Sequence, residues 1–207
     1  MSNTAKYDRL AVGFTEHEYA DPRAYAARWV QVICDCSPGL RAGARVLDLA
    51  CGDGLIAADL VARGLDYTGV DASERMVDAA RARHPGVAFH AARIEEFEPA
   101  EPVETTVCLR AFFYAEDRAA LFRRVAGYTR GTFVFDFRRP HFPDPEPILA
   151  DLRAAGFSTI ELRPFFLPQL RRLPAAAKPV LYGLERSGPL ARLLTRRVGR
   201  LVCVATV

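Results

Sequence analysis

The stretch that most constrains the fold is Val46-Leu-Asp-Leu-Ala-Cys-Gly-Asp-Gly-Leu-Ile56, followed by Tyr67-Thr-Gly-Val-Asp71. An apolar strand runs into a glycine turn that opens a helix, and a second short strand ends on an acid. At such a junction the unpaired backbone N–H groups of a helix N-terminus can face an anionic group, while Gly52 and Gly54 let a ligand approach the backbone closely. Asp71 lies 23 residues after Asp48, at a strand end where a carboxylate can accept both hydroxyls of a ribose. The pattern calls for a nucleoside cofactor.

The rest of the chain alternates short apolar runs with helix-like stretches, which predicts an α/β sheet, mostly parallel, with helices on both faces. Strands are expected at Arg45 to Leu49, Asp66 to Val70, Val87 to His90, Thr105 to Leu109, Thr132 to Phe137, Thr159 to Leu162 and Leu201 to Thr206. Helices fit Ala24 to Cys34, Leu55 to Arg63, Ser73 to Arg83, Arg118 to Tyr128 and Pro147 to Ala155, with Ser73 and Asp117 placed to cap two of them. The 207 residues, 50% hydrophobic and 26% charged, suit one domain with a sizeable core. Its parts are an N-terminal helical cap over 1–43, a cofactor-binding core over 44–163, a basic insertion over 164–200 and a last strand over 201–207. Five cysteines form no CxxC pair, so buried thiols are expected rather than a metal site. The start, MSNTAKYDRL, lacks the apolar core of a secretory signal, and no run approaches the roughly 18 apolar residues of a spanning helix. A soluble, cytoplasmic protein is expected.

Which nucleoside is bound is a separate question. Gly52-x-Gly54-x-x-Ala57 satisfies the dinucleotide fingerprint, which keeps a nicotinamide-dependent oxidoreductase as an alternative. Asp48, however, interrupts the strand four residues before Gly52. A carboxylate there is costly without a partner, and a ligand carrying an ammonium group would supply one where a pyrophosphate would not.

Val46-Leu-Asp-Leu-Ala-Cys-Gly-Asp-Gly54 with Gly69-Val-Asp-Ala-Ser-Glu-Arg-Met76 resembles the class I S-adenosylmethionine-dependent methyltransferases, from about Tyr7 to about Leu162. The resemblance implies a Rossmann-like seven-stranded sheet of order 3-2-1-4-5-7-6 with the last strand antiparallel. It implies S-adenosyl-L-methionine as cofactor and S-adenosyl-L-homocysteine as product. On it, Asp48, Ala50, Gly52 and Gly54 match the loop holding the methionine part, Asp71 the ribose ligand with Ala72 beside it, and Met76 a wall of the adenine. Ala91-Ala-Arg-Ile-Glu-Glu-Phe97 aligns with the adenine-contacting turn but places Arg93 where an acid commonly accepts the adenine amino group. Arginine cannot accept, so recognition falls to backbone groups around Arg93 and Ile94. Val107 to Tyr114 resembles the fourth strand and its turn, bringing Arg110 and Tyr114 to the border of cofactor and acceptor, and Tyr7 matches a tyrosine that closes over the cofactor.

Transfer from a sulfonium needs a base only when the acceptor must lose a proton early. The candidates, by position, are His141, His17, Tyr114 and Asp136 in that order. His84, before a Pro-Gly turn, is expected to face solvent and His90 to be structural. Phe112, Phe133, Phe135 and Phe137 read as core, with Phe113 and Tyr114 as exceptions. No Pro-Pro-Tyr tetrad follows the fourth strand, which favours a small-molecule acceptor, natural-product, quinone-like or lipid-like, over nucleic acid. O-, N- and C-methylation stay open, as do the oligomeric state and a non-catalytic cofactor-binding role.

The net charge of +3 is unevenly spread: Pro164 to Arg200 carries eight basic residues against Glu185, which leaves −4 for the rest. Helices are expected there at Pro179 to Arg186 and Pro189 to Arg197. The insertion reads as a solvated flap, as a lid supplying arginines to an acidic acceptor, or as a peripheral membrane anchor in which Phe165, Phe166, Leu167 and Leu170 dip inward.

Overall fold

A computed structural model describes residues 3–186 and 199–207; the expected helix Pro189 to Arg197 lies outside them. Asp21 caps the cap's main helix by accepting the Ala24 N–H at 3.1 Å, and Pro22 sits at its first turn, where a missing N–H costs nothing. This helix, Pro22–Cys36, buries Tyr25, Trp29 and Ile33, spaced four apart so that they form one stripe. Two short helices that periodicity did not reveal precede it, Asn3–Leu10 and Phe14–Glu18. In chain order these are α1, α2 and α3.

The core then alternates β1 (Arg45–Leu49), α4 (Ala57–Val61), β2 (Asp66–Asp71), α5 (Glu74–Arg83), β3 (Ala88–Ala91), β4 (Val103–Cys108), α6 (Arg118–Tyr128), β5 (Thr129–Arg138), α7 (Glu146–Ala154) and β6 (Thr159–Pro164), then α8 (Ala177–Glu185) and β7 (Arg200–Thr206). The sheet order is β3-β2-β1-β4-β5-β7-β6, with β7 antiparallel to both neighbours. Strand order reverses between β1 and β4, and ligands of such sheets bind at the carboxyl ends of the strands beside that point.

Period-two alternation sends neighbouring residues to opposite faces. Val46, Val107, Val134 and Val202 pack with Trp29, Ile33, Ile56 and Leu60 on the α3 side. Leu47, Leu49, Phe133, Phe135 and Phe137 pack with Phe112, Leu121, Phe122 and Leu152 on the other. The four phenylalanines expected in the core are all buried there, whereas Phe113 is 41% exposed.

Several boundaries differ from expectation. The helix expected from Leu55 starts at Ala57, because residues 52–56 are taken up by turns. β5 runs three residues earlier than expected, starting directly from the end of α6. Ser73 and Asp117 do cap α5 and α6, accepting the Met76 and Ala120 N–H groups.

The insertion departs from the anchor reading. Phe165 and Leu167 are buried, and Phe165 lies parallel to Trp29 with ring centroids 4.3 Å apart. Only Leu170 of the four apolar residues stands well exposed. These side chains complete the α3 face because β6 continues to Pro164 and delivers the following residues beneath α3. Three basic groups of the insertion are held to the rest of the chain: Lys178 pairs with Asp21, Arg172 donates to the Ala20 carbonyl, and Arg200 pairs with buried Asp136. No helix of the described residues is long and apolar enough to cross a membrane.

Candidate active site

The turn after β1 is built on left-handed backbone, with φ of 59° at Ala50, 56° at Gly52 and 79° at Gly54. A side chain is strained there, which is why glycine recurs. A Cβ on Gly54 would also stand 2.8 Å from the His84 ring and 3.2 Å from Phe89, so Gly54 serves close packing and does not line the cavity. His84, expected in solvent, is half-buried under this loop against Phe89, and burial lowers its pKa. The open side of Gly52 faces the Phe14 ring of α2.

Asp71 ties the loop to β2. One carboxylate oxygen accepts the Gly52 N–H at 2.9 Å and the other the Ser73 N–H at 2.9 Å. Burial raises its pKa, and those two bonds oppose the rise. Asp48 is fully buried at the tip of β1, accepting the Tyr67 hydroxyl at 2.8 Å. Burial pushes its carboxyl up to about 7 against the pull of that hydroxyl, with the Asp71 charge adding to the rise.

These groups border a cavity of about 340 Å³. Asp48, Ala50, Gly52, Asp71, Ala72, Met76, Arg93, Ile94, Arg110, Tyr7 and Tyr114 all line it, so the structure brings together every expected cofactor residue but Gly54. His17 and His141 do not line it. His17 bonds through Nδ1 to the Gly13 carbonyl at 2.6 Å, and His141 is exposed on the turn after β5. Asp136 is buried behind the wall, accepting the Arg110 N–H and paired with Arg200.

At one end of the cavity the Arg93 guanidinium turns outward to Glu95, Glu96 and Glu116. Glu95 and Glu116, which sequence reasoning passed over, are the acids lining that end, and Glu95 accepts the Glu116 N–H at 2.9 Å. At the other end the cap supplies rings from Tyr7, Phe14, Tyr19, Tyr25 and Trp29. The Tyr7 and Tyr114 hydroxyls are 2.8 Å apart, and Arg110 donates to the Tyr19 hydroxyl at 2.7 Å. The cap is clasped to the glycine loop through buried Asp53, which accepts both the N–H and the hydroxyl of Thr15 and pairs with Arg83. Asp8 likewise accepts the Ser73 hydroxyl at 2.6 Å.

A seven-stranded sheet with an antiparallel last strand, a left-handed glycine loop at β1 and an acid at the tip of β2 define a Rossmann-like methyltransferase architecture. Residues 46–131 match the methyltransferase-domain family, and the fold and the relatives below support a class I S-adenosylmethionine-dependent methyltransferase. A ubiquinone biosynthesis O-methyltransferase of Alkalilimnicola ehrlichii is 29% identical over 128 residues, 51% of each chain. A trans-aconitate 2-methyltransferase of Rhizobium etli is 34% identical over 83 residues, 39% of this chain and 32% of that protein. The chain thus spans about half or less of the length of these relatives. A chain of the Haloferax volcanii complex containing the Trm112 methyltransferase activator shares the fold, with a TM-score of 0.68 and 21% identity over 97% of this chain and 96% of that one.

The residues present fit that family's cofactor. Asp48 is a buried carboxylate on the cavity wall with which, among the described residues, no lysine or arginine pairs. The cationic methionine part of S-adenosylmethionine would supply such a partner.

Proposed function

We propose that the chain, as one domain over 1–207, transfers a methyl group from S-adenosylmethionine to a small-molecule acceptor. The observation that carries this reading is a single cavity joining two chemically distinct ends: Asp48, Gly52 and Asp71 at one, tyrosines and Arg110 at the other. Asp71 would hold the ribose, Asp48 the cationic methionine part, and Met76 with Ile94 the apolar walls of the base. The cofactor supplies an already activated methyl group, so the chain's task is alignment and exclusion of water. Phe14 roofs the glycine loop at Gly52, Tyr7 meets Tyr114 beside it, and Tyr25 and Trp29 of α3 line the cavity as well. The relatives are named for O-methylation in ubiquinone biosynthesis and for trans-aconitate, which favours a small acceptor over a macromolecule. Calorimetry is expected to show tight S-adenosylhomocysteine binding and none for NAD. The reverse result would return the chain to the oxidoreductases, and an acceptor screen by S-adenosylhomocysteine release that stays silent would leave only a binding protein.

The pH dependence of binding follows from Asp48. Its carboxyl holds a proton up to about 7 in the folded chain, against a usual 3.8. Between these values the native state binds more protons than the unfolded one, so this group's contribution to stability declines as pH rises. Cofactor binding has the opposite slope, because a neighbouring cation needs the ionised form. Affinity is expected to weaken by up to about tenfold per unit as pH falls below about 7, with one proton released on binding. Calorimetry near pH 6 in buffers of different ionisation enthalpy reads that proton, and Asp48→Asn should flatten the slope. An affinity constant from about pH 5.5 to 7.5 in the native protein would show that Asp48 does not meet the cation.

A further inference from the structure

The two ends of the cavity differ in which groups can accept a proton. Its lining carboxylates are Asp48, Asp53, Asp71, Glu95 and Glu116, all at the tips of β1 and β2, on the glycine loop or on the two turns at the Arg93 end. Among the described residues, no histidine or lysine lines the cavity. At the cap end the titratable side chains that line the cavity, among the described residues, are tyrosines and Arg110; Glu18 stands behind them, paired with Arg110 at 3.4 Å. Burial raises Tyr7 well above the usual phenol range and Tyr19 to about 12, so neither is a base near neutral pH. An acceptor bound there must bring its nucleophilic electron pair already free of a proton.

Arg110 is the cation of this end. It follows β4 with φ of 61°, a left-handed position held by the bond from its N–H to buried Asp136. Its guanidinium donates to the Tyr19 hydroxyl and lies 5.5 Å from the centre of that ring. The charges around it are accounted for: Asp136 is matched by Arg200, and Glu18 touches Arg110 at 3.4 Å while also accepting from Gln169. Arg93, the other lining arginine, is engaged by three glutamates at the opposite end. A fixed, planar guanidinium among flat rings matches a planar anion, which it can bind through two parallel N–H donors while the rings cover the apolar body.

We propose that the acceptor is a small planar carboxylic acid, aromatic or unsaturated, whose carboxylate is bound by Arg110 and methylated to an ester. This rests on the reading of the chain as a methyltransferase. One carboxylate oxygen forms the new C–O bond as the methyl carbon parts from the sulfonium sulfur of S-adenosylmethionine, and the bonding pair stays on sulfur. Anion and cation become two neutral products with no proton to remove, as a cavity end without a base requires.

The test uses the full chain loaded with S-adenosylhomocysteine. Benzoate, trans-cinnamate, fumarate and trans-aconitate are titrated by calorimetry beside their amides. At least one acid is expected to bind about tenfold or more tightly than its amide, and Arg110→Gln to lose about tenfold to a hundredfold for that acid. The variant should melt within about 4 °C of the native chain, which separates loss of the carboxylate partner from loss of the fold. With methyl-labelled S-adenosylmethionine, label transferred to the acid should be released as methanol by alkali. No acid preferred over its amide, a variant that binds the acid like the native chain, or label stable to alkali each overturns the proposal. Failure of S-adenosylhomocysteine itself to bind overturns the methyltransferase reading, and this inference falls with it.

Discussion

Replacing Asp71 with alanine is expected to weaken S-adenosylhomocysteine binding by about a hundredfold or more. The carboxylate accepts the Gly52 and Ser73 N–H groups, both at 2.9 Å. Bonds to a charged acceptor in a buried site contribute about 1.5–3 kcal/mol each. One stands on the glycine loop and the other at the cap of α5, so one side chain sets the distance between the loop and the helix that borders the base. Alanine leaves both amides without that acceptor and removes the group proposed to receive the ribose hydroxyls. Asparagine can satisfy one amide but turns its NH2 toward the other, and an intermediate loss of about tenfold is expected. Titration calorimetry alongside thermal melting separates lost affinity from lost fold. An alanine variant binding within about threefold of the native chain would remove Asp71 from the cofactor site.

The second large effect concerns stability. Arg28 of α3 and Glu185 of α8 form an ion pair with side chains only 2% and 3% exposed. The Tyr182 ring covers the guanidinium at 4.3 Å, and Glu185 also accepts the Phe166 N–H at 2.6 Å. Glu185→Ala would strand a buried arginine, which costs about 3–5 kcal/mol. For a chain of this length that corresponds to a fall in melting temperature of roughly 6–20 °C. Replacing both partners with apolar residues, Arg28→Met with Glu185→Leu, removes the unpaired charge and should recover most of the loss. A single variant that melts within about 2 °C of the native chain would show that the pair does not hold the insertion to the cap. Because α3 also presents Tyr25 and Trp29 to the cavity, the same variant should raise the acceptor KM more than it lowers kcat.

Much of the cofactor end was legible before any coordinates. Gly52, Gly54, Asp48 and Asp71 lie within two adjacent parallel strands and the turn between them, so their chemistry follows from local backbone rules. Left-handed turns favour glycine, strand tips beside a helix N-terminus receive ligands, and a short polar side chain caps a helix. The same locality made Ser73 and Asp117 readable as caps. Arg93 was readable as a departure from the family's pattern, but its pairing with Glu116, 23 residues away, was not.

The acceptor end was decided by packing. Tyr7 meets Tyr114 across 107 residues, Tyr19 meets Arg110 across 91, and Phe165 reaches Trp29 only because β6 runs on beneath α3. No periodicity or motif records such pairs, because each side chain's direction depends on where distant elements settle. For the same reason the histidines favoured by position, His17 and His141, lie away from the cavity, and Phe165 and Leu167, at the start of the basic insertion, are part of the core. Local geometry set the sheet and the cofactor loop, where residue type dictates backbone shape; only the tertiary structure, through side chains converging from remote segments, set what an acceptor would meet.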